Sequence, residues 1–129
     1  MMILFVCGQD IRSLSIGLVR DGALERDVIV AASPEQYLSA LAETLSDWKL
    51  SVRDFDAIAV VTGPGSFTSS RVSATIANVM AFTSGIPIFA IENHERMNLH
   101  DLAARTDFSA LPSVGQYAVP IYDRPPHIT

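Results

Sequence analysis

The most informative part of the chain is residues 56–66, which read Asp56-Ala57-Ile58-Ala59-Val60-Val61-Thr62-Gly63-Pro64-Gly65-Ser66. The continuous apolar run at its start is typical of a β-strand that is covered on both faces. A Gly-Pro-Gly turn follows at once, and Ser66 is a favourable N-cap for the helix predicted by the next residues. A buried strand that leads through a glycine turn into a helix indicates a layered α/β fold.

The segments on either side complete the predicted order of elements. Upstream, three short runs predict an antiparallel meander, because Asp21-Gly22 favours a tight hairpin turn between the second and the third. The predicted strands are 2–6, 13–19, 24–30, 56–61 and 86–91, and the predicted helices are 33–48, 66–85 and 92–105. We therefore expect a mixed five-stranded sheet with helices in one domain, residues 1–110. Residues 111–129, which contain Pro120, Pro125 and Pro126, are expected to form an extended C-terminal tail that packs on this domain.

The apolar spacing also predicts which helical side chains face the core. Ser33-Pro34-Glu35-Gln36 has the pattern of a capping box at a helix start. Leu38, Leu41, Leu45 and Trp48 then follow at intervals of three and four, which predicts an inward stripe. In the third helix, Met97 and Leu102 are expected to point inward.

The composition excludes several classes of protein. Of 129 residues, 49% are hydrophobic and 18% charged, a balance unlike that of disordered chains. The net charge of −5 disfavours direct binding of nucleic acid, whose phosphates require a basic surface. No apolar run is long enough to predict a membrane span, and the first residues do not have the pattern of a signal peptide. A single cysteine, Cys7, is typical of a protein in the reducing cytoplasm.

The turn after the buried strand has two interpretations. It can be a tight turn in which Ser66 caps the helix. It can also contact an anion or a nucleotide, because helix starts offer backbone N–H donors to negative groups. The residues of that second interpretation are Gly63, Gly65, Ser66, Thr68 and Arg71. The sequence matches neither the Walker loop nor the dinucleotide fingerprint.

Other reactive side chains do not form a recognisable catalytic set. The serines of the second helix lack the elbow pattern of hydrolases and a histidine nearby in sequence. His94, His100 and His127 do not have the spacing of metal ligands on one helical face. Asp10 follows the first strand and is interpreted as a turn residue, the alternative being a magnesium-binding carboxylate. We therefore expect no catalytic residue and no metal site.

The second helix carries a stripe of small residues beside an apolar one. Small side chains allow another backbone to approach closely. Because residues 72–91 contain no charged side chain, the helix lacks an ordinary solvent face. We expect it to form, together with the first helix (33–48), a face that contacts a partner or a second copy, the alternative being that the tail covers this face and leaves a monomer. The predicted interface residues are Ser70, Val72, Ala74, Ile76, Ala77 and Ala81.

Residues 54–71, D-F-D-A-I-A-V-V-T-G-P-G-S-F-T-S-S-R, resemble the hallmark of the TsaB (YeaZ) family, D-L-D-A-I-A-V-x-x-G-P-G-S-F-T-G-L-R. Gly85-Ile86-Pro87-Ile88 is similar to the following family segment, and residues 119–126 to its C-terminal P-x-Y-x-R. Cys7-Gly8-Gln9-Asp10 stands where the family usually has an Asp-Thr pair, and Ala31-Ala32-Ser33 where it often has a histidine. The order of elements is similar to one lobe of the actin-like (ASKHA, ribonuclease H-like) superfamily. We expect a short form that lacks most of the second lobe.

The resemblance implies a role in making threonylcarbamoyladenosine (t6A) on tRNA. TsaB proteins are regarded as non-catalytic relatives of TsaD, the enzyme that transfers the threonylcarbamoyl group. The implied partners are TsaD and TsaE, with tRNA contacted only through the complex and a homodimer when the protein is alone. No cofactor is implied for the isolated chain. ATP or ADP with Mg is implied only in complex with TsaD and TsaE. The alternatives are an ATP-binding or phosphotransfer enzyme of the actin-like superfamily and a peptidase.

Overall fold

The computed structural model describes residues 1–109, apart from the Phe67 side chain, and contains one mixed sheet. Its strands are β1 (Met2–Cys7), β2 (Ser13–Arg20), β3 (Ala23–Ala31), β4 (Ala57–Gly63) and β5 (Ile88–Glu92), in the order β3-β2-β1-β4-β5. The pairs β1–β2 and β2–β3 are antiparallel, while β1–β4 and β4–β5 are parallel. The predicted mixed five-stranded sheet is confirmed. The predicted tail, residues 111–129, lies outside the described residues.

Three α-helices cover the two faces of the sheet: α1 (Tyr37–Asp47), α2 (Phe67–Ser84) and α3 (Leu99–Arg105). A 3-10 turn at Pro34–Gln36 leads into α1, and another at Val52–Asp54 precedes β4. Helices α1 and α2 lie on one face of the sheet, and α3 lies on the other. Gly85 ends α2 in the left-handed region, with φ +66°, a conformation that glycine adopts without steric cost.

β4 is buried along its whole length, as its apolar sequence predicted. Ile58 and Val60 point into the core beneath α1 and α2. Ala57, Ala59 and Val61 point into the core on the α3 side, where Phe108 meets Phe5 edge to face with 5.7 Å between ring centres. Because β1, β4 and β5 run parallel, their carboxyl ends lie at one edge of the sheet, and the turns that follow them lie side by side.

The inward face of α1 differs from the predicted one. Leu41 and Leu45 are buried as expected, but Leu38 is 60% exposed and Tyr37 takes the inward place beside them. The helix proper begins at Tyr37, and neighbouring helical residues point about 100° apart, so Tyr37 and Leu38 cannot both face the sheet. The prediction that Leu38 belongs to the core was wrong.

The third helix starts later than predicted. Strand β5 runs to Glu92, a turn follows, and α3 begins only at Leu99 with Asn98 as its N-cap, whose Oδ1 accepts from the Asp101 N–H over 2.8 Å. Asn93 holds the turn, because its Oδ1 accepts from the Met97 N–H (3.0 Å) and its Nδ2 donates to the Met97 carbonyl (2.9 Å). Such side-chain bonds to the backbone compete with helix formation. Met97 is half-buried and Leu102 is buried, as expected.

Candidate functional site

The turns that follow β1 and β4 are packed directly against each other. A Cβ atom placed on Gly65 would lie 3.0 Å from Gln9 Cα, 3.1 Å from the Gln9 carbonyl oxygen and 2.7 Å from Ser70 Oγ. The Gln9 backbone would have to shift by a few tenths of an ångström, and Ser70 Oγ would have to move, to admit a Cβ at this position. The close approach of two chain segments therefore favours glycine at position 65.

A pair of buried amides lies beneath these turns. Gln9 Nε2 donates to the carbonyls of Pro64 and Asn93, the second over 2.9 Å, and Asn93 Nδ2 donates to Gln9 Oε1 over 2.8 Å. Both side chains are buried, at 6% and 1% exposure. Because an unpaired buried amide is costly, this reciprocal pairing joins the ends of β1, β4 and β5 firmly. Neither residue could be predicted from the sequence, since they are 84 positions apart and match no motif.

The start of α2 is capped within the chain. Ser66 Oγ accepts from the Ser69 N–H over 3.0 Å, which is the capped tight turn that the sequence predicted. Ser69 Oγ in turn donates to the Gln9 carbonyl over 3.3 Å. The other residues that were predicted to contact an anion or a nucleotide lie at or next to this turn. Gly63 and Gly65 are buried, whereas Thr68 and Arg71 are exposed. Contact of these residues with an anion stays a prediction.

Two further side chains pack beneath the turn that follows β1. The Tyr37 hydroxyl donates to the carbonyls of Asp10 (2.7 Å) and Ser13 (3.2 Å), and burial, followed by the charge of Asp10, raises the pKa of Tyr37 to about 12. Burial likewise raises the pKa of the Cys7 thiol, which donates to Gln9 Oε1 over 3.5 Å. A raised thiol pKa keeps Cys7 protonated and weakly nucleophilic.

The other candidate reactive side chains make contacts that are local in sequence. Asp10 is exposed, and its Oδ1 accepts from the Arg12 N–H over 2.9 Å, which is a turn contact. His94 is exposed beside Glu92, and His100 beside Asp101. Within residues 1–109 no three His, Cys, Asp or Glu side chains are grouped closely enough to hold a metal ion. His127 lies outside the described residues.

The stripe of small residues on α2 is buried and does not form part of the protein surface. Ser70, Ala74, Ala77 and Ala81 are at most 3% exposed, and they face the chain's own sheet. The helix lies over the large side chains of β4, and only small residues on the helix let the two backbones pack closely there. The prediction that these four residues contact a partner was therefore wrong.

The outer face of α2 carries apolar side chains instead. Val79 is 56% exposed and Phe82 80%, while Val72 and Ile76, two of the predicted interface residues, are half-buried and pack against the edge of the core. The threonine hydroxyls on this face bond to carbonyls of their own helix: Thr75 to Arg71 (2.7 Å) and Thr83 to Val79 (2.9 Å). We name Val72, Ile76, Val79 and Phe82 the outer apolar face of α2.

None of the helices in the described part of the chain is long and apolar enough to cross a membrane.

Comparisons with known proteins agree on one family. The family model described as TsaD, tRNA N6-adenosine threonylcarbamoyltransferase, matches residues 30–117. The tRNA threonylcarbamoyladenosine biosynthesis protein TsaB of Bacillus subtilis is 28% identical over 88 residues, which are 66% of this chain and 38% of that protein. The TsaB of Haemophilus influenzae is 39% identical over 59 residues, 46% of this chain and 25% of that protein. The matched part of this chain thus covers well under half of either relative.

A solved structure gives the same result for the fold. YeaZ from Pseudomonas aeruginosa superposes with a TM-score of 0.62 and 21% sequence identity, over 71% of this chain and 44% of that one. At this identity the likeness concerns the fold alone. The predicted actin-like, ribonuclease H-like architecture is confirmed.

Proposed function

We propose a function from one premise: the chain belongs to the TsaD family of tRNA N6-adenosine threonylcarbamoyltransferase proteins, and within it to the TsaB (YeaZ) proteins. On that premise it takes part in the biosynthesis of t6A on tRNA, in the cytoplasm. Its role is that of a non-catalytic partner of TsaD. TsaE joins the complex, and tRNA is contacted only through it.

The observation that carries this proposal is the outer apolar face of α2. It presents Phe82 and Val79 to solvent on the side of the helix that points away from the sheet. Exposed apolar clusters of this kind mark protein interfaces, and aromatic residues within them supply much of the binding energy. Arg71 is the one charged residue of α2, so few charges have to be desolvated when another protein covers this face.

The same face serves a homodimer when the protein is alone. A twofold-symmetric contact uses one patch on both copies, so a patch dominated by apolar side chains can pair with itself. TsaD would then replace the second copy in the complex. Nucleotide and Mg enter only with TsaD and TsaE. A role as an ATP-binding or phosphotransfer enzyme has less support, because Gln9 and Ser66 already engage polar groups at the start of α2.

The experiment compares Val79→Arg with Ile29→Arg. Ile29 is 64% exposed on the edge strand β3 and is the matched control, because it accepts the same charge at a similar exposure on a different element. We expect Val79→Arg to yield a folded monomer by light scattering and to bind purified TsaD about a hundredfold more weakly. Ile29→Arg should match the unmodified protein in both measurements. Unchanged TsaD affinity in folded Val79→Arg would exclude the outer apolar face as the interface.

A further inference from the structure

We propose that Gln9 is an internal ligand that fills the anion position at the start of α2 and keeps the turn Gly63–Ser66 closed. The inference goes beyond the partner role proposed above. It concerns the carboxyl edge of the sheet, not the outer apolar face of α2. It is tested on the protein alone, so its outcome does not depend on whether TsaD binds.

The start of α2 has the properties of an anion site. The helix has 18 residues and no acidic residue in its first turn, so its positive dipole end is not balanced by a carboxylate of its own first turn. An anion at such a position accepts hydrogen bonds from N–H and hydroxyl donors. Here the Gln9 carbonyl accepts from the Ser66 N–H (3.5 Å) and from Ser69 Oγ (3.3 Å). The negative end of that carbonyl dipole therefore stands where an anion would stand.

The side chain of Gln9 holds this carbonyl in place. Its amide makes bonds to the carbonyls of Pro64 and Asn93 and accepts one from Asn93 Nδ2. Gly65 packs against the Gln9 backbone so closely that a Cβ at position 65 would lie 3.0 Å from Gln9 Cα and would force a shift. The carbonyl can withdraw only if the buried amide bonds break, and each broken bond leaves a polar group unpaired.

A second observation indicates that the closed turn leaves a donor unused. Ser70 Oγ is buried, has no hydrogen-bond partner among the described residues, and faces Gly65. Buried hydroxyls without a partner are uncommon. When the turn opens, an anion or its water can approach this hydroxyl together with the donors of Ser66 and Ser69. The position of Gln9 therefore determines whether an anion can bind at the start of α2.

The test titrates inorganic phosphate into the unmodified protein, Gln9→Gly and Gln9→Met, following the backbone amide signals of Ser66, Thr68 and Ser69 by NMR. Gln9→Met keeps the side-chain volume and removes only the amide bonds. We expect saturable shifts in both variants, with phosphate affinity at least about tenfold above that of the unmodified protein. Ser73→Ala is the matched control, because Ser73 is buried on α2 and its hydroxyl donates to the Ser70 carbonyl of its own helix.

Two results with the unmodified protein and the Gln9 variants overturn the proposal, and a third comes from the control. One is phosphate binding by the unmodified protein with the affinity of the variants, because Gln9 would then not close the turn. The other is a lack of binding in folded Gln9→Met, whatever the behaviour of the glycine variant. If Ser73→Ala gains phosphate affinity as well, loss of packing explains the effect and the role of Gln9 is refuted.

Discussion

The phenol oxygen of Tyr37 lies 2.7 Å from the carbonyl oxygen of Asp10, 27 positions earlier in the chain. The contact joins the start of α1 to the turn that follows β1. The same turn is held from its other side by the amide of Gln9, which reaches the ends of β4 and β5. The edge of the sheet where the three parallel strands end is therefore fixed by polar bonds from two directions.

Replacing Tyr37 by Phe should lower stability. The substitution removes a hydroxyl from a fully buried side chain and leaves the carbonyls of Asp10 and Ser13 without this donor. Loss of such a bond costs about 1–3 kcal/mol in the free energy of unfolding. Urea denaturation of the two proteins measures the difference. A variant as stable as the parent would mean that water replaces the phenol at both carbonyls.

Tyr37 is also expected to make the stability of the fold decrease at alkaline pH. The pKa of Tyr37 is raised from 10.0 to about 12 in the folded protein, so the native state retains a proton that the unfolded chain loses. Its contribution is fully present below pH 10 and is lost as the pH rises from 10 through 12. We expect the unfolding free energy of the unmodified protein to fall over this range. The fall should be smaller in Tyr37→Phe, and equal slopes in both proteins would contradict the assignment.

Gly65 and Ser70 are expected to behave as a coupled pair. Gly65→Ala places a methyl group 2.7 Å from Ser70 Oγ and 3.0 Å from Gln9 Cα, and overpacking of this kind costs about 1–3 kcal/mol. Ser70→Ala alone should be neutral or slightly stabilising, because it removes a buried hydroxyl that has no partner. The double variant should recover part of the loss, since the hydroxyl contact is relieved but the backbone contact is not.

A double-mutant cycle from chemical denaturation measures this coupling. Strict additivity of the two changes would show that Ser70 Oγ is not what the added methyl group meets. Gln9 is the remaining contact, and it accounts for the part of the loss that the double variant retains.

The central part of the fold could be predicted because its signals are local. The run at 57–61 is apolar at every position, and Ser66 and Gly85 mark both ends of α2 with residues that caps require. The inward face of α1 could not be predicted in the same way. Stripes that begin at Tyr37 and at Leu38 share Leu41 and Leu45, and the choice between them rests on bonds from the phenol to a distant turn.

The contacts of the candidate site could likewise be predicted only where they are local in sequence. Ser66 as a cap could be predicted from its neighbours, whereas the pairing of Gln9 with Asn93 depends on the ends of β1 and β5, which lie on either side of β4 in the sheet. A stripe of small residues has the same sequence whether it meets another molecule or the protein's own sheet. The large side chains of Ile58 and Val60 beneath α2 decide which it is, and only the tertiary structure shows that they lie there.

The two faces of α2 are expected to differ in how much an introduced charge destabilises the fold. Ala77 is fully buried in the core between α2 and the sheet, so Ala77→Arg places a charge among apolar side chains with no partner. Burial of an unpaired charge is among the most destabilising of changes, and we expect this variant to be largely unfolded by circular dichroism and thermal melting. Val79→Arg, two positions along the same helix, should keep the native circular dichroism spectrum because Val79 is 56% exposed within its own chain, and its melting temperature should fall only by what loss of the proposed dimer removes. A folded Ala77→Arg protein would mean that α2 lies farther from the sheet than the burial of Ala74, Ala77 and Ala81 requires.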